Sequence, residues 1–204
     1  MNISRTHFPA VAAYVATLPN GLESYPEARV TRETYATYFA KFSQVDTTNI
    51  PVELLNLLQG HATEWLPEVL VNVLLLMCRT LAFSSDDAFI SWGRNNMENL
   101  TQSPVNRLAL RMLSPSLLLM NSAKRWGLFH QGTTLTASPV TKGNNHCYCS
   151  LVLQFPPQLY DSILVRMLGE HYALVLTKSR AKNLQYVTRE VSATQGHYEM
   201  SWED

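Results

Sequence analysis

The chain has 204 residues, of which 46% are hydrophobic and only 16% charged, and its formal net charge is zero. This composition excludes a disordered chain, and the balanced charge gives no basic footprint for nucleic acid. With so few charges, much of the surface must stay apolar, which favours an oligomer interface or an apolar pocket. A chain of this length can bury a substantial core, so we expect a single domain over residues 1–204.

The chain shows no sign of export or of a membrane span. Its first residues lack the charged start and the continuous apolar run of a secretion signal. The longest apolar segment, "VLVNVLLLMC" at residues 69–78, is much shorter than the roughly 20 apolar residues that cross a bilayer. Three cysteines do not suggest a disulfide framework. We therefore expect a reduced, cytoplasmic protein without a membrane span.

Apolar residues recur at helical spacing through the first two-thirds of the chain. Pro67 begins a helix that is apolar nearly all round and should be buried or lie at an interface. Ser85 is placed to cap the next helix, and Ser114, before Pro115, is placed to cap a later one. The predicted helices cover "VAAYVATL", "TRETYATYFAKF", "PVELLNLL", "PEVLVNVLLLMCRTLAF", "SSDDAFISWGRNNMENL", "SPVNRLALRML" and "SPSLLLMNSAKRWGLFHQG".

The apolar period then changes to that of strands. "TTLTASPV" and "HCYCSLVLQF" flank the turn-rich "TKGNN" and predict a hairpin. A helix over "PQLYDSILVRMLG", ended by Gly169, precedes three predicted strands, "HYALVLTK", "LQYVTREV" and "HYEMSW". The fold class is α+β, an N-terminal helical part (residues 1–60 and 61–132) packed on a mostly antiparallel sheet. The order is helices-β-β-α-β-β-β, with the last six elements in residues 133–204.

The segment "NNHCYCS" raises the question of a metal or a reactive-thiol site. In a strand, Cys147 and Cys149 continue the apolar side of Leu151 and Leu153, whereas His146 points the other way. One strand cannot direct the histidine and both thiols to one tetrahedral ion, and zinc sites generally place a turn between paired cysteines. The pattern favours two small core residues, and no metal site is predicted.

Motifs of known chemistry are missing, so no catalytic residue is assigned. The sequence has no Gly-rich phosphate loop, no His-Glu-x-x-His and no Gly-x-Ser-x-Gly, and its six histidines lack ligand spacing. Trp126 and His130 are four apart on a predicted helix and share a face. That face could line a pocket in which His130 orients a ligand. The alternative is a core tryptophan with a solvent-facing histidine near a helix C-terminus.

Several segments carry a resemblance to a known group of proteins. They are "ATEWLPEV", "FISWGRNNMENL", "MLSPSLLLMNSAKRW", the Gly132 strand start, the Gly169 helix end and "GHYEMSW". Over residues 60–202 the chain resembles an uncharacterised bacterial family, expanded in myxobacteria and related to the four-vinyl reductase-like domain. The wider fold group includes haem nitric-oxide-binding domains and components of the TRAPP tethering complex. The resemblance implies helices packed on an antiparallel sheet with an apolar cavity between them, and a binding or assembly module, often dimeric.

The chain departs from this group at both of its metal-linked features. Many four-vinyl reductase-like domains carry late cysteines for zinc, and the matching "TREVSATQGHYEMSW" has none. Haem-binding relatives use a helical histidine and a Tyr-x-Ser-x-Arg segment, which is absent, since "LTKSR" places Ser179 and Arg180 side by side. We therefore expect no cofactor. Haem would be the one to test, with His130 as its candidate ligand.

These observations leave three hypotheses. The first is a non-enzymatic binding or sensor module for a hydrophobic small molecule, signalling through a protein partner. The second is an assembly or scaffold protein with a filled core, in which the helix from Pro67 serves a dimer or partner surface. The third, an enzyme, has no supporting constellation. A homodimer is expected from the low charge and that apolar helix. The cavity should be lined by Trp92, Trp126, Phe129, His130, Met167 and Tyr186.

Overall fold

The structure is a computed structural model that describes residue 3 and residues 6–102, 104–143 and 145–203. The fold is α+β with antiparallel sheets, as the sequence predicts. The helices are α1 (Pro9–Thr17), α2 (Arg32–Phe39), α3 (Val52–Leu55), α4 (Glu68–Ala82), α5 (Asp86–Thr101), α6 (Pro104–Met112), α7 (Pro115–Phe129) and α8 (Ser162–Thr177). The strands are β1 (Arg29–Thr31), β2 (Trp65–Pro67), β3 (His130–Gln131), β4 (Thr134–Ala137), β5 (Thr141–Gly143), β6 (His146–Gln154), β7 (Lys182–Val191) and β8 (Gln195–Glu203).

Short polar side chains start three of the helices. The Ser85 hydroxyl accepts the Ala88 N–H at 3.2 Å, and the Ser114 hydroxyl accepts the Leu117 N–H at the same distance. Asp161 caps α8 in the same way through its carboxylate. Each cap satisfies an amide that has no partner inside its helix, so the starts predicted at Ser85 and Ser114 are confirmed.

The main sheet has the order β4-β6-β8-β7, and β5 pairs with the free part of β6. All pairings are antiparallel, and the predicted pairing of "TTLTASPV" with "HCYCSLVLQF" forms as β4 and β6, with Thr134 opposite Gln154. The turn predicted over "TKGNN" is wrong, because Thr141–Gly143 form β5 and three strands of this sheet precede α8 instead of two. Burial alternates strictly along β6 and β8, so each strand sends every second side chain into the core. Cys147 lies opposite Trp202, and Cys149 opposite Met200, on this inner face.

A second, smaller sheet was not predicted. It joins β2, β1 and β3 in that order, with Val30 opposite both Leu66 and His130. Its strands have only two or three residues, which is too short for a period-two pattern to show in the sequence. The sheet brings the start of α4 and the end of α7 together, and both carry residues of the site described below.

The prediction that Gly169 ends a helix is wrong, and so is the strand predicted over "HYALVLTK". Helix α8 starts at Ser162 instead of Pro157 and continues to Thr177, and two strands follow it instead of three. A methyl group on Gly169 would lie 3.0 Å from the Tyr198 ring and from the Thr188 hydroxyl. The glycine thus lets the helix approach the sheet closely. Because α8 is buried on most sides, its second half is a continuous apolar run that resembles a buried strand.

Helix α4 is buried inside the chain along nearly its whole length, from Glu68 to Cys78. Burial was one of the two outcomes predicted for this helix, so its residues 68–78 do not form the dimer or partner surface that the assembly hypothesis expected there. Among the described residues no single helix is long and apolar enough to cross a membrane. The pair Glu68–Ala82 and Asp86–Asn99 meets the length and composition requirement only together, and it is bent by 117°.

The last strand can be tested at Trp202, which is 1% exposed and lies on β8 between β6 and β7. Replacing a core tryptophan by alanine removes its buried area and leaves a cavity. We predict that Trp202→Ala lowers the free energy of unfolding by at least about 2 kcal/mol. The measurement is denaturant unfolding followed by circular dichroism. Tyr148→Ala, at a half-exposed aromatic on the opposite face, is the matched control and should cost under about 1 kcal/mol. Equal, small losses would contradict a paired, anchored last strand.

Candidate functional site

The interior of the helical part contains two polar side chains on one face of α4. Glu68 and Asn72 are four residues apart, so they lie one above the other, and neither is exposed to solvent. Their neighbours along α4 are buried aliphatic residues. Glu68 is held in place by Pro67, which precedes the helix, and by its own N–H, which donates to the Ala28 carbonyl at 2.9 Å. A carboxyl group without water contact needs protein partners.

Two side chains supply those partners on one carboxylate oxygen. His130 Nδ1 lies 2.9 Å from Glu68 Oε1, and the Tyr160 hydroxyl donates to the same oxygen. His130 is 5% exposed and Tyr160 is 3% exposed, so the three polar groups meet inside the protein. The contacts join α4, the small sheet and the segment before α8, which are far apart in sequence.

Asn72 continues this arrangement one turn along the helix. Its side-chain amide donates to the Leu159 carbonyl at 2.8 Å, and the Tyr14 hydroxyl donates to the same carbonyl. Helix α1, through Tyr14, therefore covers the buried polar groups. We call Glu68, Asn72, His130, Tyr160 and Tyr14 the Glu68 cluster.

The aromatic packing around His130 fixes the orientation of its ring. The ring stacks on Trp126 with centroids 3.7 Å apart and planes 4° from parallel. The Trp126 indole N–H donates to the Thr133 hydroxyl at 2.9 Å, which holds the indole itself. The pairing of Trp126 with His130 predicted from the sequence is thus present. The predicted helical position of His130 and its solvent-facing alternative are both wrong, because α7 ends at Phe129 and His130 is buried in β3.

Burial and the neighbouring carboxyl group keep the tyrosines of this region protonated. The pKa of Tyr160 lies well above its ordinary value, first because of burial and then because of the Glu68 charge. The same two causes raise the pKa of Tyr35, which lies close to Glu68. For Tyr14, burial is again the main cause of a raised pKa. Tyr160 and Tyr14 therefore act as hydrogen-bond donors at all moderate pH values.

Two oxygens of the Glu68 cluster have no hydrogen-bond partner among the described residues. They are Glu68 Oε2 and Asn72 Oδ1, both buried and one helical turn apart. The Tyr172 hydroxyl is also buried without a hydrogen-bond partner among the described residues, and its pKa is raised first by burial and then by Tyr198 and Tyr35. Buried acceptors that lack donors cost free energy, so they mark a place where a donor belongs. A group with an N–H or O–H could satisfy both oxygens.

The predicted lining residues fall in three places. His130 belongs to the Glu68 cluster, Trp126 stacks on it, and half-buried Phe129 lies between them in sequence. Trp92 packs edge-on against Tyr38 at 5.1 Å, in a separate aromatic group with Phe83 and Phe89. Met167 fills the contact of α8 with α5 so closely that a methyl on Gly93 would lie 2.4 Å from its sulfur.

Tyr186 lies in the third place, an open groove of about 590 Å³ between α5, α8 and β7. Its hydroxyl donates to Glu170, whose other carboxylate oxygen pairs with Arg94 at 2.8 Å. This groove is lined by charged and polar side chains as well as by Ile90 and Val191. It does not have the apolar character that the sequence predicted for the ligand cavity.

Sequence reasoning missed most of the Glu68 cluster. Asn72 gave a usable signal, because it is the only polar residue in the run "VLVNVLLLMC", where a buried amide needs a partner. Glu68, four residues earlier, shares its face. Nothing local indicates Tyr14 or Tyr160, which reach the cluster only through the tertiary fold.

The three cysteines answer the question raised by "NNHCYCS". Cys78, Cys147 and Cys149 are free and buried, and among the described residues no group of three metal-binding side chains occurs. Burial raises the pKa of the Cys78 thiol to about 12 and also raises that of Cys149. Cys147 and Cys149 lie in the core, as the alternation in the sequence predicts, and the raised pKa makes the Cys78 and Cys149 thiols poor nucleophiles.

Two solved structures are similar in fold to this chain. One comes from work on modulating haem redox potential through protein-induced porphyrin distortion. It is 13% identical, with a TM-score of 0.48, and the match covers 85% of this chain and 99% of that one. The other is an isoleucine-to-phenylalanine mutant of T. tengcongensis H-NOX, 12% identical with a TM-score of 0.45, covering 97% and 98%. Likeness at this level carries no information on what this chain binds.

No family model and no curated protein matches the chain. Neither comparison assigns the chain to the group that the sequence resembles. The bacterial, myxobacterial and four-vinyl reductase-like parts of that resemblance stay predictions.

The donor set of the Glu68 cluster does not fit haem. The cluster contains a carboxyl group and no lysine or arginine that could pair with two propionates. The Tyr-x-Ser-x-Arg segment is also absent from the sequence. His130 Nδ1 is engaged by Glu68 and one face of its ring is covered by Trp126. These residues suit a ligand that donates hydrogen bonds better than a dianionic porphyrin.

A buried histidine on α8 makes the free energy of unfolding depend on pH. His171 on α8 places Nε2 2.8 Å from the Tyr38 hydroxyl, and burial lowers its pKa from 6.5 to about 4. As the pH falls below 6.5, the unfolded chain takes up this proton before the folded chain does. The stability present above pH 6.5 is therefore lost progressively towards pH 4.

We predict that wild type loses up to about 3 kcal/mol more stability than His171→Asn over that pH range. The measurement is denaturant unfolding at a series of pH values. His61→Gln, at an exposed histidine, is the control and should keep the wild-type profile. Parallel profiles for wild type and His171→Asn would contradict a neutral, buried His171.

Proposed function

We propose that this protein is a non-enzymatic module that binds a small hydrophobic molecule and passes the signal to a protein partner. The observation that supports the proposal is the pair of unpartnered oxygens, Glu68 Oε2 and Asn72 Oδ1, in an otherwise apolar interior. They would orient a ligand that is mostly apolar and carries one hydrogen-bond-donating group, such as an amine or a hydroxyl. Specificity would come from this polar pair, because a ligand without a donor leaves both oxygens unsatisfied.

The contacts of the Glu68 cluster also offer a route for a signal. Helix α1 is tied to the segment before α8 by the Tyr14 hydroxyl on the Leu159 carbonyl, which also accepts from Asn72. A ligand at Asn72 Oδ1 acts on the same amide that holds Leu159. Binding would therefore change how firmly α1 is held over the interior, and a partner that contacts α1 could detect the change. The cytoplasmic location belongs to this proposal.

The second candidate is an assembly protein with a filled core and no ligand, acting as a homodimer or in a partner complex. The observation that favours it is the close packing of α8. Met167 leaves no room for a methyl on Gly93, and a methyl on Gly196 would lie 2.5 Å from a Val165 carbon. In this case the unpartnered oxygens would be a cost of the fold instead of a binding feature.

The test is native mass spectrometry of the protein purified from its own host. The binding proposal predicts a retained small-molecule mass in wild type. Glu68→Gln keeps the shape of the side chain but places an N–H donor where the ligand donates, so it should lose the mass at least about tenfold. Trp92→Phe, in the separate aromatic group, is the matched control and should retain the mass.

Two results would contradict the binding proposal. Equal retention by wild type and Glu68→Gln would place any ligand elsewhere. An empty protein that sedimentation shows as a dimer of the 23.1 kDa chain would support assembly instead. Circular dichroism of Glu68→Gln must first show that the variant is folded, so that loss of ligand is not loss of structure.

A further inference from the structure

The middle of the chain contains basic residues but no acidic ones. Residues 99–160 contain no aspartate or glutamate, although the whole chain has 16 of them. The same segment has five basic residues: Arg107, Arg111, Lys124, Arg125 and Lys142. A chain of zero net charge thus concentrates five positive charges in one acid-free segment, which includes α6 and α7.

Among the described residues, these two helices also carry most of the large apolar side chains that are exposed. Nine large hydrophobic side chains are markedly exposed in the described residues, and five of them, between 43% and 67% exposed, lie on α6 and α7. These five are Leu108, Met112, Leu117, Met120 and Leu128. The helices are separated by only two residues, so Met112 and Leu117 flank the turn between them.

Positive side chains lie among these apolar ones. Arg111, Lys124 and Arg125 are exposed, and none forms an ion pair with a described residue. Lys124 falls on the same face of α7 as Leu117 and Leu128, by helical spacing. We call this surface the α6–α7 face: Leu108, Arg111, Met112, Leu117, Met120, Lys124, Arg125 and Leu128.

A further arginine extends the positive charge at the end of α6. The Arg180 guanidinium donates to the Arg111 carbonyl at 2.9 Å, and this side chain is exposed. It comes from the segment between α8 and β7, so the charge is gathered by the fold and not only by the local sequence. An exposed apolar surface that includes cations without an ion pair among the described residues favours a partner that is negative and accepts apolar side chains.

We propose that the α6–α7 face binds a lipid bilayer whose headgroups are anionic. Leucine and methionine side chains would enter the boundary between headgroups and acyl chains. Lysine and arginine would extend their alkyl stems along that boundary and reach the phosphates with their charged ends. This surface role goes beyond the proposed ligand binding and does not depend on it. A bilayer is nonetheless where a hydrophobic ligand would concentrate.

The charges disfavour a second copy of the chain as the occupant. A two-fold symmetric dimer would place the α6–α7 face against itself, which opposes the cations of both copies without any acidic residue between them. An acidic protein is also disfavoured, because the face offers no exposed tryptophan or tyrosine of the kind that anchors protein interfaces. Flexible side chains with unpaired cations suit a fluid surface that needs no shape match.

The test is co-sedimentation of the full chain with vesicles. Phosphatidylcholine vesicles that contain phosphatidylserine should bind the protein, pure phosphatidylcholine vesicles should bind it weakly, and added salt should weaken the binding because it screens the cations. Met112→Gln with Leu117→Gln removes apolar side chains, and Lys124→Gln with Arg125→Gln removes charges. Each pair should weaken binding by at least about tenfold.

Val187→Gln and Arg166→Gln are the matched controls, since they change an exposed valine on the sheet and an exposed arginine on α8. Both should bind vesicles as wild type does. The proposal is overturned by absent vesicle binding, by equal losses in the controls, or by equal binding to neutral vesicles. It is also overturned if Met112→Gln with Leu117→Gln abolishes a dimer in sedimentation, which would assign the face to self-association.

Discussion

The carboxyl group of Glu68 lies in the interior with no solvent contact, and the surrounding elements are arranged to accommodate it. Removing a carboxyl group from water is costly unless hydrogen bonds replace the lost hydration. His130 and Tyr160 provide two such bonds to a single oxygen. Because those residues come from β3 and from the segment before α8, satisfying one side chain aligns three parts of the chain.

The need to provide hydrogen bonds to the buried Glu68 carboxyl group explains several other features of the fold. The small sheet of β2, β1 and β3 is too short to be stable by itself, yet it brings His130 to the first turn of α4. The stack of His130 on Trp126 fixes the ring that Glu68 meets. The Leu159 carbonyl accepts from both Asn72 and Tyr14, which extends the polar contacts to α1. Two oxygens on one face of α4 have no hydrogen-bond partner among the described residues, and the proposed ligand would donate to them.

The sequence predicts regular, local patterns well and the tertiary placement of residues poorly. The α+β class, the caps at Ser85 and Ser114, the β4–β6 hairpin and the buried cysteines follow from periods and side-chain chemistry that are local. The sequence predicts a strand in the second half of α8 because a helix buried on most sides has no polar face to reveal its period. It extends α7 over His130 because the two-residue strand that contains this residue has no signal of its own.

The candidate site was predicted only in part for a related reason. The spacing of Trp126 and His130 indicates that they share a face. Glu68 gives no such signal, because it follows a proline at a helix start, where acidic residues are common. Tyr14 and Tyr160 are separated from their partners by more than 50 residues, so only the fold brings them in. The six predicted lining residues share aromatic or apolar character, and that property is common to every part of this core.

A double-mutant cycle between Glu68 and Tyr160 tests most directly whether the buried carboxyl group organises the interior. Glu68→Met keeps the approximate volume and removes the acceptor, and Tyr160→Phe removes only the donor. The free energy of unfolding would be measured by denaturant titration for wild type, both single variants and the double variant. We predict that each single change lowers the free energy of unfolding more in wild type than in the presence of the other change, with a coupling energy of about 1–3 kcal/mol. Additive losses, within about 0.5 kcal/mol, would contradict it.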